Sequence, residues 1–311
     1  MEFKFTCGIY FFTQTKCDLC PRKCLVDRKK GEKGICGQTE NLKVARAALH
    51  FWEEPCISGD AGSGAVFFSG CPLHCVFCQN ENIANGTVGK EISLERLVDI
   101  FLELQEKRAN NINLVTPGHF VPQIVKALDQ ARKEGLTLPV VYNTSSYETV
   151  DTIKMLEGYV DIYLPDFKYM SPVLSKKYSH APDYAEVAKA AIAEMVRQTG
   201  KAVFVNGDED NLILSGTIVR HLTLPGCMAD SMQILKYLHD TYGDMIYISI
   251  MNQFTPLSNL EKYPELNRRI TDEEYETLVD YAIEIGIENG FIQEGNTAEE
   301  SFIPAFDCEG V

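Results

Sequence analysis

From residue 64 onward, short apolar and β-branched runs alternate with longer stretches carrying apolar residues at helical spacing, a rhythm that confines the chain to a parallel sheet with crossover helices. Six runs read as strands: 65–68, 112–115, 139–142, 160–164, 216–224 and 245–250. Between the first two, Leu94, Leu97, Val98, Phe101 and Leu102 recur on one helical face behind Ser93, a good N-cap. Thr271 and Glu274 form a capping box ahead of Leu278, Val279 and Ala282. Residues 202–211 read as a turn or mobile loop, because Asn, Gly and Asp cluster there. A chain of 311 residues, 45% apolar, has room for one barrel-sized domain and a small appendage. The division expected is 1–60 for a cysteine-rich head and linker and 61–311 for the barrel.

Cys71, Cys75 and Cys78 place three thiols within eight residues, directly after the first strand. Three thiols are too few for a closed structural zinc site, but they suit a 4Fe–4S cluster with one iron left for a non-protein ligand. Gly70 and Pro72 favour the tight loop that lets the sulfurs converge. A second group, Cys17, Cys20, Cys24 and Cys36, has the spacing of an all-cysteine zinc site or of a second 4Fe–4S cluster. The absence of a second C-x2-C pair favours the cluster. A head with so few apolar residues needs metal binding for much of its folding free energy.

Seven of the eleven cysteines fall in these two groups, which points to a reducing compartment, and Cys7, Cys56, Cys227 and Cys308 read as inert thiols. No run of about 18 apolar residues exists, and the first residues lack the features of a secretory signal. The expectation is a cytoplasmic protein that does not cross a membrane. A net charge of −15 argues against a general nucleic-acid binder. The one basic concentration, Arg22, Lys23, Arg28, Lys29, Lys30 and Lys33, reads either as a solvated surface beside a metal or as a docking site for an acidic partner or a nucleic acid.

Several strand ends are polar. Thr116-Pro117-Gly118-His119 exposes backbone, and Asn143, Thr144, Ser145 and Ser146 offer donors and acceptors for a ribose or carboxylate. Alternation puts Asp166 and Lys168 on one side of the fourth strand's end. Arg220 is suited to pairing with a carboxylate, and His221 reads as an acid–base group or a structural histidine. Asn252 and Gln253 follow the last apolar strand residues.

The C-x3-C-x2-C loop and its flanks resemble the S-adenosylmethionine (SAM) radical enzyme superfamily, and most of all its glycyl-radical-activating branch, typified by pyruvate formate-lyase activating enzyme. The cysteine-rich head and the segments 44–59 and 264–269 resemble a subfamily labelled pyruvate formate-lyase activating enzyme-like. The resemblance implies an α/β fold, a partial (β/α)6 TIM-type barrel with a small metal-binding head, whose functional residues gather at the C-terminal ends of the strands. It implies that Cys71, Cys75 and Cys78 hold the cluster, and that Thr116, Gly118, Asn143, Ser145, Asp166, Lys168, Arg220 and Gln253 surround SAM. The turn at Thr116 departs from the branch by lacking its acidic residue. His50, Trp52, Glu53 and Glu54 form either a substrate-facing insertion or a packing surface for the head.

The implied activity is reductive cleavage of SAM to a 5′-deoxyadenosyl radical that abstracts hydrogen, from a glycine of a partner enzyme in the activating branch. Radical modification of another protein, a peptide or RNA is the enzymatic alternative. An iron–sulfur electron-transfer or interaction protein is the non-enzymatic one. The partners implied are SAM, an electron donor such as flavodoxin or ferredoxin, and a protein substrate.

Overall fold

The computed structural model describes residues 16–208, 211–256, 260–293 and 304–311. Cys7 and part of the 202–211 turn therefore lie outside the described residues. Ten strands occur among those residues: β1 (Leu42–His50), β2 (Ser63–Phe68), β3 (Lys90–Ile92), β4 (Ile112–Val115), β5 (Val140–Thr144), β6 (Ile162–Pro165), β7 (Val203–Phe204), β8 (Ile213–Leu222), β9 (Tyr247–Met251) and β10 (Gly290–Ile292). They form one sheet in the order β10-β9-β8-β6-β5-β4-β2-β1-β3, with β7 paired to β8. All neighbours from β2 to β10 along that path are parallel, as an incomplete barrel requires.

The six expected strands are all present. β2, β4, β5, β6 and β9 are buried at every position, because helices cover one face and the barrel interior the other. Helix Leu94–Glu106 starts where Ser93 accepts from Arg96 N–H at 3.1 Å, and helix Asp272–Glu284 starts at the Thr271–Glu274 capping box.

Alternation along the strands separates two environments. Val140, Tyr142 and Tyr163 pack outward in the core that includes Phe101, Ile124 and Leu128. Val141, Ile162, Leu164, Ile218 and Tyr247 point the other way, into an interior layer closed from below by Cys56 and Ile57 of the short helix Pro55–Ser58. Further along the same interior face come Asn113, Asn143, Asp166, Arg220 and Ser249.

Residues 42–50, which sequence reading assigned to the head and linker, form β1, antiparallel to β2 with a bulge between Val44 and Arg46. Its alanines and its basic Lys43 and Arg46 mask the β period. Residues 53–58 then plug the barrel floor. Cys56 is buried there as expected, and Cys227 and Cys308 are half-buried.

No helix among the described residues is long and apolar enough to cross a membrane.

Candidate functional site

The loop after β2 is anchored by its apolar residues. Leu73 and Phe77 are buried in the core that includes Tyr169, Tyr178 and Phe254, with the Phe77 ring 5.9 Å from that of Phe254. Cys71, Cys75 and Cys78, set beside these anchors, line a cavity of about 240 Å³ at the C-terminal ends of the strands, whose wall Leu73 and Phe77 share. The left-handed Gly70 (φ 92°) starts the loop, and a Cβ there would stand 2.5 Å from the Cys36 carbonyl oxygen.

Backbone N–H groups two residues on, at Leu73 and Asn80, point at Cys71 and Cys78, and the Ser179 hydroxyl lies 3.1 Å from the Cys75 sulfur. Burial nevertheless pushes the Cys71 thiol up to about 11 and Cys78 up to about 12, and raises Cys75. Three adjoining sulfurs that are expensive to ionise alone, yet carry donors aimed at them, fit an electron-deficient iron cluster. Among the described residues, no three His, Cys, Asp or Glu side chains are disposed to enclose a single metal ion.

Opposite the thiols lies a charged network. Asp166 accepts from Lys168 Nζ at 2.6 Å and from Arg220 Nε at 2.9 Å. Arg220 also reaches Glu53 Oε2 at 2.9 Å and Asn143 Oδ1 at 2.7 Å, while Glu53 Oε1 accepts from the amides of Asn113 and Asn143 at 3.2 Å. Burial would push the Asp166 carboxyl up, but Lys168 and Arg220 outweigh it and hold it below its ordinary value. Desolvation likewise opposes charge on Lys168 and is outweighed by Asp166. The Tyr184 hydroxyl accepts from Lys168 N–H and lies 2.9 Å from the carbonyls of both Ser145 and Asp166, locking the ends of β5 and β6 together.

Of the residues singled out from sequence, Thr116, Asn143, Ser145, Asp166, Lys168, Arg220 and Gln253 line this cavity with the three cysteines. Gln79 of the cysteine loop donates to the Gln253 carbonyl at 3.0 Å, tying the loop to the end of β9. One reading needs correcting, and two further residues turn away from the cavity. Gly118 is not a wall residue: Thr116 turns the chain away through a left-handed conformation (φ 56°), and a Cβ at Gly118 would overlap the Glu148 carboxylate. His221 faces outward, bonded to the Phe167 carbonyl at 2.7 Å and Ser231 Oγ at 2.9 Å, and burial lowers it to about 4, so it is structural. Asn252 turns to Gln293, whose side chain accepts from its N–H at 2.9 Å.

His50, Trp52 and Glu53, which the sequence offered either as a substrate-facing insertion or as a packing surface, line the cavity as well, brought there by folding of the 51–58 segment across the barrel. The acid that packs against the Thr116–Gly118 turn is Glu148, which is buried and is not among the cavity-lining residues. Its Oε1 accepts from Thr144 at 2.8 Å and its Oε2 has no partner. Burial raises this carboxyl from 4.5 to about 7. A raised folded-state value means that its contribution to stability is complete below about pH 4.5 and is lost as pH rises through about 7, a span of about 3 kcal/mol. Glu148→Gln is therefore expected to melt several degrees higher than wild type at pH 8 and almost equally at pH 5; equal melting at both values would contradict the buried charge.

The head seats on the cysteine loop. Arg22, between Cys20 and Cys24, donates to the carbonyls of Pro72 (2.9 Å), Ser179 (2.9 Å) and His180 (2.6 Å) and stacks over the Tyr147 ring. His74 Nε2 lies 2.7 Å from the Ile35 carbonyl. Cys20 has Cys17 and Cys36 as electrostatic neighbours, Cys36 has Cys17 and Cys24, and burial pushes Cys20 up to about 12. N–H groups of Arg22, Ile35 and Gln38 point at Cys20, Cys24 and Cys36. Two left-handed non-glycine residues, Lys23 (φ 41°) and Leu25 (φ 57°), bend the chain round Cys24, a strain that a small head with little core must offset by other means.

The open parallel α/β barrel thus carries three loop thiols and polar strand ends on one cavity. Residues 65–211 match the model of the Radical SAM superfamily. It is 27% identical over 275 residues to the uncharacterized protein MJ0674 of Methanocaldococcus jannaschii, covering 86% of this chain and 74% of that one. Methylornithine synthase (PylB) shares the fold, at 14% identity and a TM-score of 0.50, over 71% of this chain and 60% of that one. Streptococcus suis SuiB bound to S-adenosylmethionine aligns at 13% identity and a TM-score of 0.49, over 72% of this chain and 48% of SuiB. The chain thus spans about half the length of the first solved structures it matches.

Proposed function

We propose that the chain binds a 4Fe–4S cluster through Cys71, Cys75 and Cys78 and cleaves SAM reductively for hydrogen abstraction. The observation that carries this reading is the convergence of the three thiols and the Asp166–Lys168–Arg220–Glu53 network on one cavity. When bound and reduced, the cluster supplies the electron that splits SAM into methionine and a 5′-deoxyadenosyl radical.

The protein's own part is positioning and exclusion of solvent. Alternating buried cations and carboxylates suit a zwitterion: Lys168 offers an ammonium to its carboxylate, Asp166 and Glu53 offer carboxylates to its ammonium, and Asn143 and Ser145 offer hydrogen bonds to the ribose. Tyr184 and Glu53 hold these groups in place. Anaerobic reconstitution with iron and sulfide, followed by quantification of 5′-deoxyadenosine under dithionite, tests the proposal, and a cluster-loaded protein that forms none would overturn it.

The hydrogen donor we favour is a glycine of a partner protein, as in the activating branch. A different protein, peptide or RNA target is the second reading, favoured by the head that sits directly on the cysteine loop.

The head is proposed as an independent metal site of Cys17, Cys20, Cys24 and Cys36. Its donated N–H groups and the strained backbone around Cys24 support this reading. A Cys71/Cys75/Cys78 triple-alanine variant is expected to retain about four irons per chain, the content of one 4Fe–4S cluster, or one zinc if the four head thiols, not so disposed in this structure, close round a single ion. A folded, metal-free triple variant would show that the head binds none.

A further inference from the structure

We infer that the face of the head around Cys24 and Cys36 is a docking surface for an acidic protein that delivers single electrons. The inference rests on the head holding an iron–sulfur cluster, as proposed above. Leu25 and Ile35 are 53% and 50% exposed there, each next to a head cysteine. They lie on adjoining segments, since Ile35 N–H reaches the Cys24 sulfur at 3.2 Å.

Exposed Lys23 and Lys33 flank these two apolar tips, and Lys29 and Lys30 follow on the turn Arg28–Lys30. Of the seven basic residues in 16–33, Arg22 and Arg28 turn inward onto backbone carbonyls, which leaves five lysines against three acidic side chains in a chain whose net charge is −15. An apolar centre with a cationic rim is the anatomy of a protein interface that attracts a negatively charged partner. Nucleic acid fits the face less well, because its aliphatic tips give bases no ring on which to stack.

The position of this face suits electron entry. Ile35, adjacent to Cys36, contacts His74, adjacent to Cys75, through the 2.7 Å hydrogen bond, so the head thiols and the cavity thiols are linked across one such bond. In the step inferred, the carrier is oxidised by one electron and the iron of the head is reduced by one. No bond forms or breaks, and no proton is required.

The test uses the full iron-loaded chain and reduced flavodoxin as the acidic one-electron probe, with oxidation of the flavin followed by anaerobic stopped-flow absorbance and dithionite as a small-molecule control. The Lys23→Glu/Lys33→Glu variant should be reduced by flavodoxin at least tenfold more slowly than wild type at low salt, with iron content and reduction by dithionite unchanged. Raising salt from about 50 to about 200 mM should slow the wild type and not the variant. Leu25→Ser should slow flavodoxin-driven reduction while leaving the salt response intact.

An unchanged rate in the charge-reversed variant would overturn the inference. So would zinc in the head, or a wild type that neither flavodoxin nor a plant-type ferredoxin reduces. Loss of oligouridine binding in the variant with its flavodoxin rate intact would assign the face to RNA instead. If dithionite reduces wild type but no SAM is cleaved, the reading of the cavity fails while the docking result still stands or falls on the flavodoxin rates.

Discussion

Replacing Cys71, Cys75 or Cys78 with alanine, one at a time, should reduce SAM cleavage to the level of a protein-free control. Each sulfur faces the same cavity, and the loop places no fourth cysteine there to substitute for the one lost. Leu73 and Phe77 remain buried in their core in each variant, so the variants should fold with the loop in place. Loss of the cavity cluster with retention of the metal of the head, read by iron content and visible absorption, is the expected signature. Full SAM cleavage by any one of the three would end the assignment of that thiol.

Lys168→Ala should weaken SAM binding by roughly 10- to 150-fold, the equivalent of losing one charged hydrogen bond worth about 1.5–3 kcal/mol. Iron content should not change, because Lys168 bonds Asp166 and not a cysteine. Asp166→Ala differs in kind. It leaves Lys168 and Arg220 as neighbouring, mostly buried cations, with Glu53 remaining to Arg220. Breaking a buried pair from one side costs about 3–5 kcal/mol, so this variant should lose both affinity and melting temperature. Equilibrium titration of SAM against cluster-loaded protein, with melting measured in parallel, separates the two roles. Normal affinity in both variants, with reduced stability, would move the pair from the site to the scaffold.

Much of this molecule could be read before it was folded, and the parts that could are local. A strand covered on both faces is largely apolar, so the runs leading into Phe68, Val115 and Thr144 stand out from the helices between them. The cysteine loop is equally legible, because nine consecutive residues, 70–78, carry the glycine that turns the chain, the sulfurs and the apolar anchors. Asp166 and Lys168 were visible because period-two alternation carries one face of a strand to its end.

What tertiary structure alone decided depends on residues far apart in the chain. β1 is held by its partners: Ala47 donates to the Glu309 carbonyl and Arg46 pairs with Asp307, contacts that no reading of residues 42–50 contains. Arg22 had the look of one more basic surface residue until its guanidinium met carbonyls 50 and 158 positions away. Glu53 entered the cavity because the barrel floor needed a plug, and Gly118 left it because a left-handed Thr116 turned the backbone toward Glu148. Residue type and spacing thus determined which chemistry this protein could hold. Which acids, amides and head residues surround that chemistry was settled by long-range packing, where the cost of leaving a buried charge unpaired selects partners that the order of the chain does not reveal.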